Sequence, residues 1–429
     1  MRPQSVNDVI NWVVVVLAFS LPLYRAWVSL AAILILVMWF FQDRLRDRVA
    51  RLGRHRPTVA ILVFLALNLV SLLWSADPAN GFEYWRKYLY LLLVPAIASS
   101  LKPVFARRAF IAFSCATLLS VAMMPAVILG DIHIRHIHPG NPAATMSHLD
   151  YSMVLALAAL LILVHLANST MSRGLRASWI VGFGIVVGGL LLNIGRSGQL
   201  AFTATLVVLV PFLLRRRPWP VWVAALVVVG CALVATYIVV PRFHDRVNSG
   251  VDEIYTAVVD RQIVGNQGKR VAGMIVGVDI VRANPLLGTG IGGNMPEFRR
   301  LLKTDYPQFR DAVGWFPHFH NQYMQVATEL GLTGVLSLLA IFVAFLAGRY
   351  RHPEFRSAAV AVGCAYLFGF LGDPFLHKQL PLVLFALSAG IISSDDEVFA
   401  EEESTVNSRQ STVDSRQFHR RQRHRSKVD

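Results

Sequence analysis

Twelve apolar segments decide what this chain can become. They lie at roughly 8–23, 26–42, 57–75, 86–101, 107–130, 148–167, 177–194, 198–214, 219–240, 320–347, 357–373 and 379–394. A bilayer core is crossed by about 17–25 mostly apolar residues in helix. Lipid offers backbone groups no hydrogen bonds, so such runs satisfy their own as helices. Composition agrees: 55% of the 429 residues are hydrophobic and 16% are charged, against about 25% charged in soluble domains. The expectation is an all-α integral membrane protein of about twelve transmembrane helices. The pairs 8–42 and 177–214 are close enough to form tight hairpins.

The net charge of +15 has a location that excludes a nucleic-acid face. Arg44, Arg46, Arg48, Arg51, Arg54 and Arg56 fill one short loop, and Lys102, Arg107 and Arg108 the next but one. Arg173 and Arg176, then Arg215–Arg217, then Arg349, Arg351 and Arg356 continue the alternation, and the tail adds Arg420 to Lys427. Alternate basic loops mark the cytoplasmic side, so both termini are expected there. Residues 1–8 lack the pattern of a cleaved signal peptide, so the first run reads as a retained helix. Cys115, Cys231 and Cys364 sit inside apolar runs without metal-type spacing, which argues against a disulfide framework or a zinc site. The expected organisation is helices 1–9 over 1–240, a large non-cytoplasmic loop with helical segments over 241–319, helices 10–12 over 320–394, and a disordered basic cytoplasmic tail over 395–429.

Pro317-His318-Phe319-His320-Asn321-Gln322-Tyr323 stands where that loop enters the tenth helix. Histidine is the usual general base near neutral pH, so His318 and His320 lead the search for chemistry. In a straight helix starting near His320, Gly331 falls about 20° and Gly334 about 40° to either side of it. Those glycines then admit a neighbouring helix on the face presenting the imidazole. Glu329 falls on the opposite face. The plainer reading is a histidine that caps a helix start.

Arg196, in Gly195-Arg196-Ser197-Gly198, occupies a turn on the non-cytoplasmic side. It either snorkels or meets an anion that the glycines let approach. Arg270 is expected to start a helical segment over 270–283 that stops before Pro285, where amides and a guanidinium favour an anion. Two arginines and a histidine on one face fit a phosphate-bearing lipid substrate. Gly288-Thr289-Gly290-Ile291-Gly292-Gly293 follows a helix rather than a strand, so it is not a dinucleotide loop. His133, His136 and His138 have only Asp131 as an acidic companion, which makes a poor metal set. Asp373, with Pro374, His377 and Lys378, either supports the site or caps a helix.

These residues resemble a family. His320-Asn321 followed after nine residues by Gly331-Leu332-Thr333-Gly334 is similar to the histidine motif of bacterial O-antigen ligases of the WaaL type. Gly195-Arg196-Ser197-Gly198 resembles the arginine turn of the wider O-antigen ligase/polymerase superfamily. Arg270 through Pro285-Leu286-Leu287-Gly288-Thr289-Gly290, and Ser71 to Pro78, resemble two further stretches of it. The resemblance implies a GT-C-like membrane glycosyltransferase without cofactor or metal, in the bacterial inner membrane, with a periplasmic active site. Its donor would be an undecaprenyl-diphosphate-linked glycan and its acceptor lipid A-core, among membrane lipids. His320 would be the general base, and Arg196 and Arg270 would hold the diphosphate. His318, Asn321 and Asp373 would support them, with the division of labour between His318 and His320 open. Inversion at the anomeric carbon is expected from a single base.

An O-antigen polymerase and a protein O-oligosaccharyltransferase share this pattern. A transporter, the alternative of another class, is disfavoured because no internal repeat is present and the polar residues gather on one face.

Overall fold

The computed structural model describes residues 6–43, 45–133, 137–139, 141–142, 146–239, 241–260 and 262–399. The described residues form helices without a strand ladder. α1 (Val6–Ser20) and α2 (Arg25–Trp39) form the expected first hairpin. α3 (Leu45–Leu52) is a short charged helix, and α4 (Arg56–Ser71) leads through a turn to α5 (Pro78–Tyr88) and α6 (Leu93–Ala98). α7 (Pro103–Leu129), α8 (His148–Asn168), α9 (Arg173–Leu192), α10 (Arg196–Leu213) and α11 (Trp219–Val239) complete the first half. Then come α12 (Pro241–Val258), α13 (Gly265–Ala283), α14 (Asn294–Thr304), α15 (Arg310–Val313), α16 (Gln322–Leu346), α17 (Pro353–Gly369) and α18 (Gln379–Ser393).

Seven of these helices, among the described residues, are long and apolar enough to cross a membrane: α4 with its following turn, α7, α8, α9, α10, α11 and α16. α1, α2 and α18 are shorter apolar helices. The stretch 86–101 is not one helix: α5 ends at Tyr88, a 3-10 turn covers Leu89–Leu92, and α6 is a six-residue, wholly buried helix. The stretch 357–373 is carried by α17, which begins with Pro353 and Glu354.

α8 is the hub. Its residues Tyr151 to Leu160 are all buried, as expected of a helix apolar on every side. It packs on α9, α10 and α17. The 177–214 segment turns tightly at 193–195, but its two helices then take different neighbours: α9 lies on α7 and α8, and α10 on α8 and α17. α11 buries none of its residues; it touches α10 and α12, and much of its remaining surface is left for lipid.

The basic loops gather at one end. Arg48 Nη1 donates to the Ser99 carbonyl at 2.6 Å, and His165 meets Glu354 at 2.9 Å. Asp395 accepts from the His352 amide at 2.8 Å, and Glu397 N donates to the Arg349 carbonyl at 3.0 Å. Residues 395–399 are therefore docked, not part of a disordered tail, because buried Asp395 and Asp396 satisfy amides at the α16–α17 turn. The rest of that expected tail, like His136, lies outside the described residues.

At the other end, the 241–319 region has a core of its own: Ala272, Val276 and Ile280 of α13 pack against Phe298, Phe309, Phe316 and Phe319. α13 starts at Gly265, so Arg270 lies inside it rather than at its first turn. The free amides of the helix start therefore do not coincide with Arg270, and they supply no anion cradle there.

The largest departure is at α16. Its first residue is Gln322, so His320 stands outside it, and the helix is broken at Gly331 (φ 62°, ψ −154°). The straight-helix face shared by His320 and two glycines does not form. Instead, the Gly288 loop inserts into the break. Thr289 N and Gly290 N donate to the carbonyls of Thr328 and Glu329 at 3.0 and 2.8 Å, and Leu332 N donates to the Pro285 carbonyl at 2.8 Å. A Cβ on Gly331 would stand 2.4 Å from the Leu286 carbonyl carbon, and one on Gly288 equally close to that of Glu329. The same loop reaches the first half of the chain: Ile291 N donates to Ser71 Oγ at 3.0 Å and Ser75 Oγ to the Ile291 carbonyl at 2.8 Å. This glycine-rich segment is thus a backbone latch, consistent with setting aside a nucleotide-binding role.

Candidate active site

The segment before α16 is laced to the turn that follows α17. Asn321 caps α16, its Oδ1 accepting from Met324 N at 2.9 Å, while its Nδ2 donates to the Leu371 carbonyl at 3.2 Å. Gln322 N donates to the Phe370 carbonyl at 2.9 Å, and Gln322 Oε1 accepts from Leu376 N at 2.9 Å. Phe319, fully buried, anchors the other side of the histidine. Held between these ties, His320 adopts φ 51°, a left-handed backbone that costs a non-glycine residue about 1–3 kcal/mol. Strain of this kind persists where surrounding contacts over-determine it.

These ties bring His320 to Asp373. His320 Nδ1 lies 3.3 Å from Asp373 Oδ1. Nε2 has no hydrogen-bond partner among the described residues, and the ring rests edge-on against Phe316. Asp373 is fully buried, and its Oδ2 is ion-paired with Lys378. Burial opposes the charge on Asp373, but the His320 hydrogen bond and the Lys378 ammonium outweigh it and hold the carboxyl below the usual carboxylate range. Lys378 Nζ also lies 3.9 Å from Asp150 Oδ1 on α8.

His318 is arranged differently. Its Nδ1 accepts from the His320 amide at 3.3 Å, and its ring meets that of His320 at 4.4 Å between centroids. Burial, with His320 beside it, pushes its imidazole down to about 3. It is neutral at any working pH and a weak base.

Arg270 Nη1 donates to the carbonyl of Gly372, the residue before Asp373, at 2.9 Å. Burial lowers its pKa, Asp373 opposes that, and the nearby Arg196 cation lowers it further. An arginine remains charged regardless. Arg196 is the first residue of α10. The glycines beside it meet protein rather than ligand: a Cβ on Gly198 would come 2.3 Å from the Ser152 backbone of α8. The Arg196 guanidinium lies against Gly250 of α12 and, with Arg246 and Gln267, borders a cavity of about 600 Å³. Apolar side chains of α9, α10, α11 and α12, such as Leu190, Leu206, Leu233 and Val251, form its walls.

The fold therefore gathers His318, His320, Asn321 and Asp373 on one segment pair, with Arg270 of α13 hydrogen-bonded to it and Arg196 within electrostatic reach of Arg270. Sequence reasoning weighed Lys378 without assigning it a role and missed Asp150 and Arg246, which carry no motif. His318, His320 and Asp373 place potential ligand atoms within 4.8 Å of one another. The Lys378 ammonium on Asp373 makes this a poor cradle for a divalent cation, since the carboxylate charge is already compensated.

Residues 181–339, from α9 into α16, match the family model described as O-antigen ligase. Over that stretch the chain is similar to the O-antigen ligase/polymerase superfamily. No curated protein matches it. The matched stretch contains Arg196, Arg270, His318, His320 and Asn321, whereas Asp373 and Lys378 lie beyond it and join the site only through the fold.

Proposed function

We propose that this multi-pass membrane protein is an O-antigen ligase that transfers the glycan of an undecaprenyl-diphosphate donor to a sugar hydroxyl of lipid A-core. The single observation that carries the reading is the His320–Asp373 pair, with Arg270 tied to the residue beside it. Asp373 holds the proton on Nδ1 and balances the imidazolium as it forms, so His320 Nε2 receives the acceptor proton. The acceptor oxygen then bonds to the anomeric carbon while the carbon–oxygen bond to the diphosphate breaks. Arg196 and Arg270 hold the departing diphosphate and take up its developing charge through charge-assisted, bidentate hydrogen bonds. The apolar cavity beside Arg196 suits the polyprenyl tail of the donor.

Displacement by one base without a covalent intermediate inverts the anomeric configuration. The reaction needs no metal in this scheme, since two guanidiniums supply the positive charge. The alternation of basic loops supports a cytoplasmic position for the opposite end of the bundle, and with it a site at the periplasmic face of the inner membrane.

Loss of the gene followed by lipopolysaccharide gel analysis tests the function. A ligase mutant keeps lipid A-core, loses all attached O-antigen and accumulates polymer on its carrier. Core bearing a single repeat would identify a polymerase instead, and an unchanged ladder would exclude both.

A further inference from the structure

A second cavity, of about 500 Å³, lies at the end of the bundle away from His320. Its mouth is formed near the end of α8, at His165. That is seventeen residues along α8 from His148, roughly 25 Å at the rise of a helix. From there it runs inward between α7, α8 and α18. Phe113, Leu161, Leu384 and Leu387 line the shaft, so its interior is apolar.

The mouth carries two charges of opposite sign. Glu354 is oriented by His165, whose Nδ1 lies 2.9 Å from Oε1 and 2.8 Å from Ser169 Oγ. Its other oxygen has no hydrogen bond among the described residues. Arg107 lines the same mouth and makes no hydrogen bond or ion pair among the described residues. An apolar shaft with a mixed-charge mouth at a membrane boundary matches an amphiphile with a zwitterionic head.

We infer that this cavity binds a phospholipid with an ammonium headgroup: one acyl chain in the shaft, the phosphate on Arg107 and the ammonium on Glu354. A purely anionic head would set its charge against the Glu354 carboxylate. A cation–carboxylate contact at this mouth is a charge-assisted hydrogen bond, partly shielded from water by the shaft. The site is separate from the histidine and arginine machinery, so its occupancy does not depend on the transfer reaction.

The test is native mass spectrometry of the full-length protein, delipidated in detergent and then offered phosphatidylethanolamine or phosphatidylglycerol with matched chains. The wild type is expected to retain one phosphatidylethanolamine about tenfold more strongly than phosphatidylglycerol. Glu354→Gln, at a half-buried position, should erase that preference while still binding lipid. Arg107→Gln should weaken retention of both lipids, and Leu161→Trp should block the shaft and abolish it. Equal retention of the two lipids by the wild type, a preference that survives Glu354→Gln, or no retained lipid would overturn the assignment. So would displacement of the lipid by glycerophosphoethanolamine, which has the head but no chains.

Discussion

His320 Nδ1 sits 3.3 Å from Asp373 Oδ1, across 53 residues of sequence, while the other Asp373 oxygen is occupied by Lys378. This relationship selects which imidazole nitrogen is committed to the protein and which is left without a hydrogen-bond partner among the described residues. It also separates His320 from its neighbour His318, whose Nδ1 is used on the His320 amide.

His320→Ala should lower transfer by about 10²–10⁴, the range contributed by a general base, with donor binding near that of the wild type. Single-turnover transfer on purified protein, alongside a donor-binding titration, measures both. If the variant keeps more than about a tenth of wild-type rate, His320 is not the base.

His318 acts through the backbone of its neighbour, so the acceptor at Nδ1 matters more than the ring. His318→Asn, which places an oxygen near that position, should retain most activity, and His318→Ala should lose more. Equal, complete loss in both would show that the imidazole itself takes part.

Asp373→Asn should reduce the turnover rate by about 10² or more, because the amide no longer fixes the proton on Nδ1. The Michaelis constant for the donor should change little. A change confined to that constant would assign Asp373 to substrate binding instead.

Acid should destabilise the fold in two steps of the same sign. With the His318 imidazole depressed to about 3, the unfolded chain binds a proton that the folded chain refuses between its ordinary value of about 6.5 and that point. Stability therefore falls as pH drops through this window. Asp373, held below the usual carboxylate range, adds a further loss below about pH 4. Thermal unfolding should show a lower midpoint at pH 5 than at pH 7, and His318→Asn should flatten that difference. An unchanged slope in the variant would assign the acid sensitivity elsewhere.

Gly331→Ala places a Cβ against the Leu286 carbonyl at a φ of 62°, and the strain of a left-handed residue alone is about 1–3 kcal/mol. The variant should unfold at lower temperature and transfer more slowly, since the latch positions the start of α16. Gly288→Ala breaks the same contact from the other side, so the double variant should cost less than the sum of the two. Full additivity would mean that the two glycines serve separate contacts.

The sequence by itself determined that the chain is helical and belongs in a membrane, and which polar residues share one end. Hydropathy and charge are local properties of each segment, and lipid acts on each segment separately. The histidine pair and Arg196 were legible for the same reason: in so apolar a chain, a titratable side chain at a loop–helix boundary stands out; Arg270, inside α13, was legible through the family resemblance alone. Only the tertiary structure decided that α16 breaks at Gly331, that the Gly288 loop fills the break, and that His320 stands outside the helix. It alone gave His320 the partner Asp373, and Asp373 the partner Lys378. Those outcomes depend on backbone groups and side chains from distant segments meeting once the helices have packed. A carboxylate near a helix end looks the same in sequence whether it caps a turn or orients a base; its neighbours after packing make the difference.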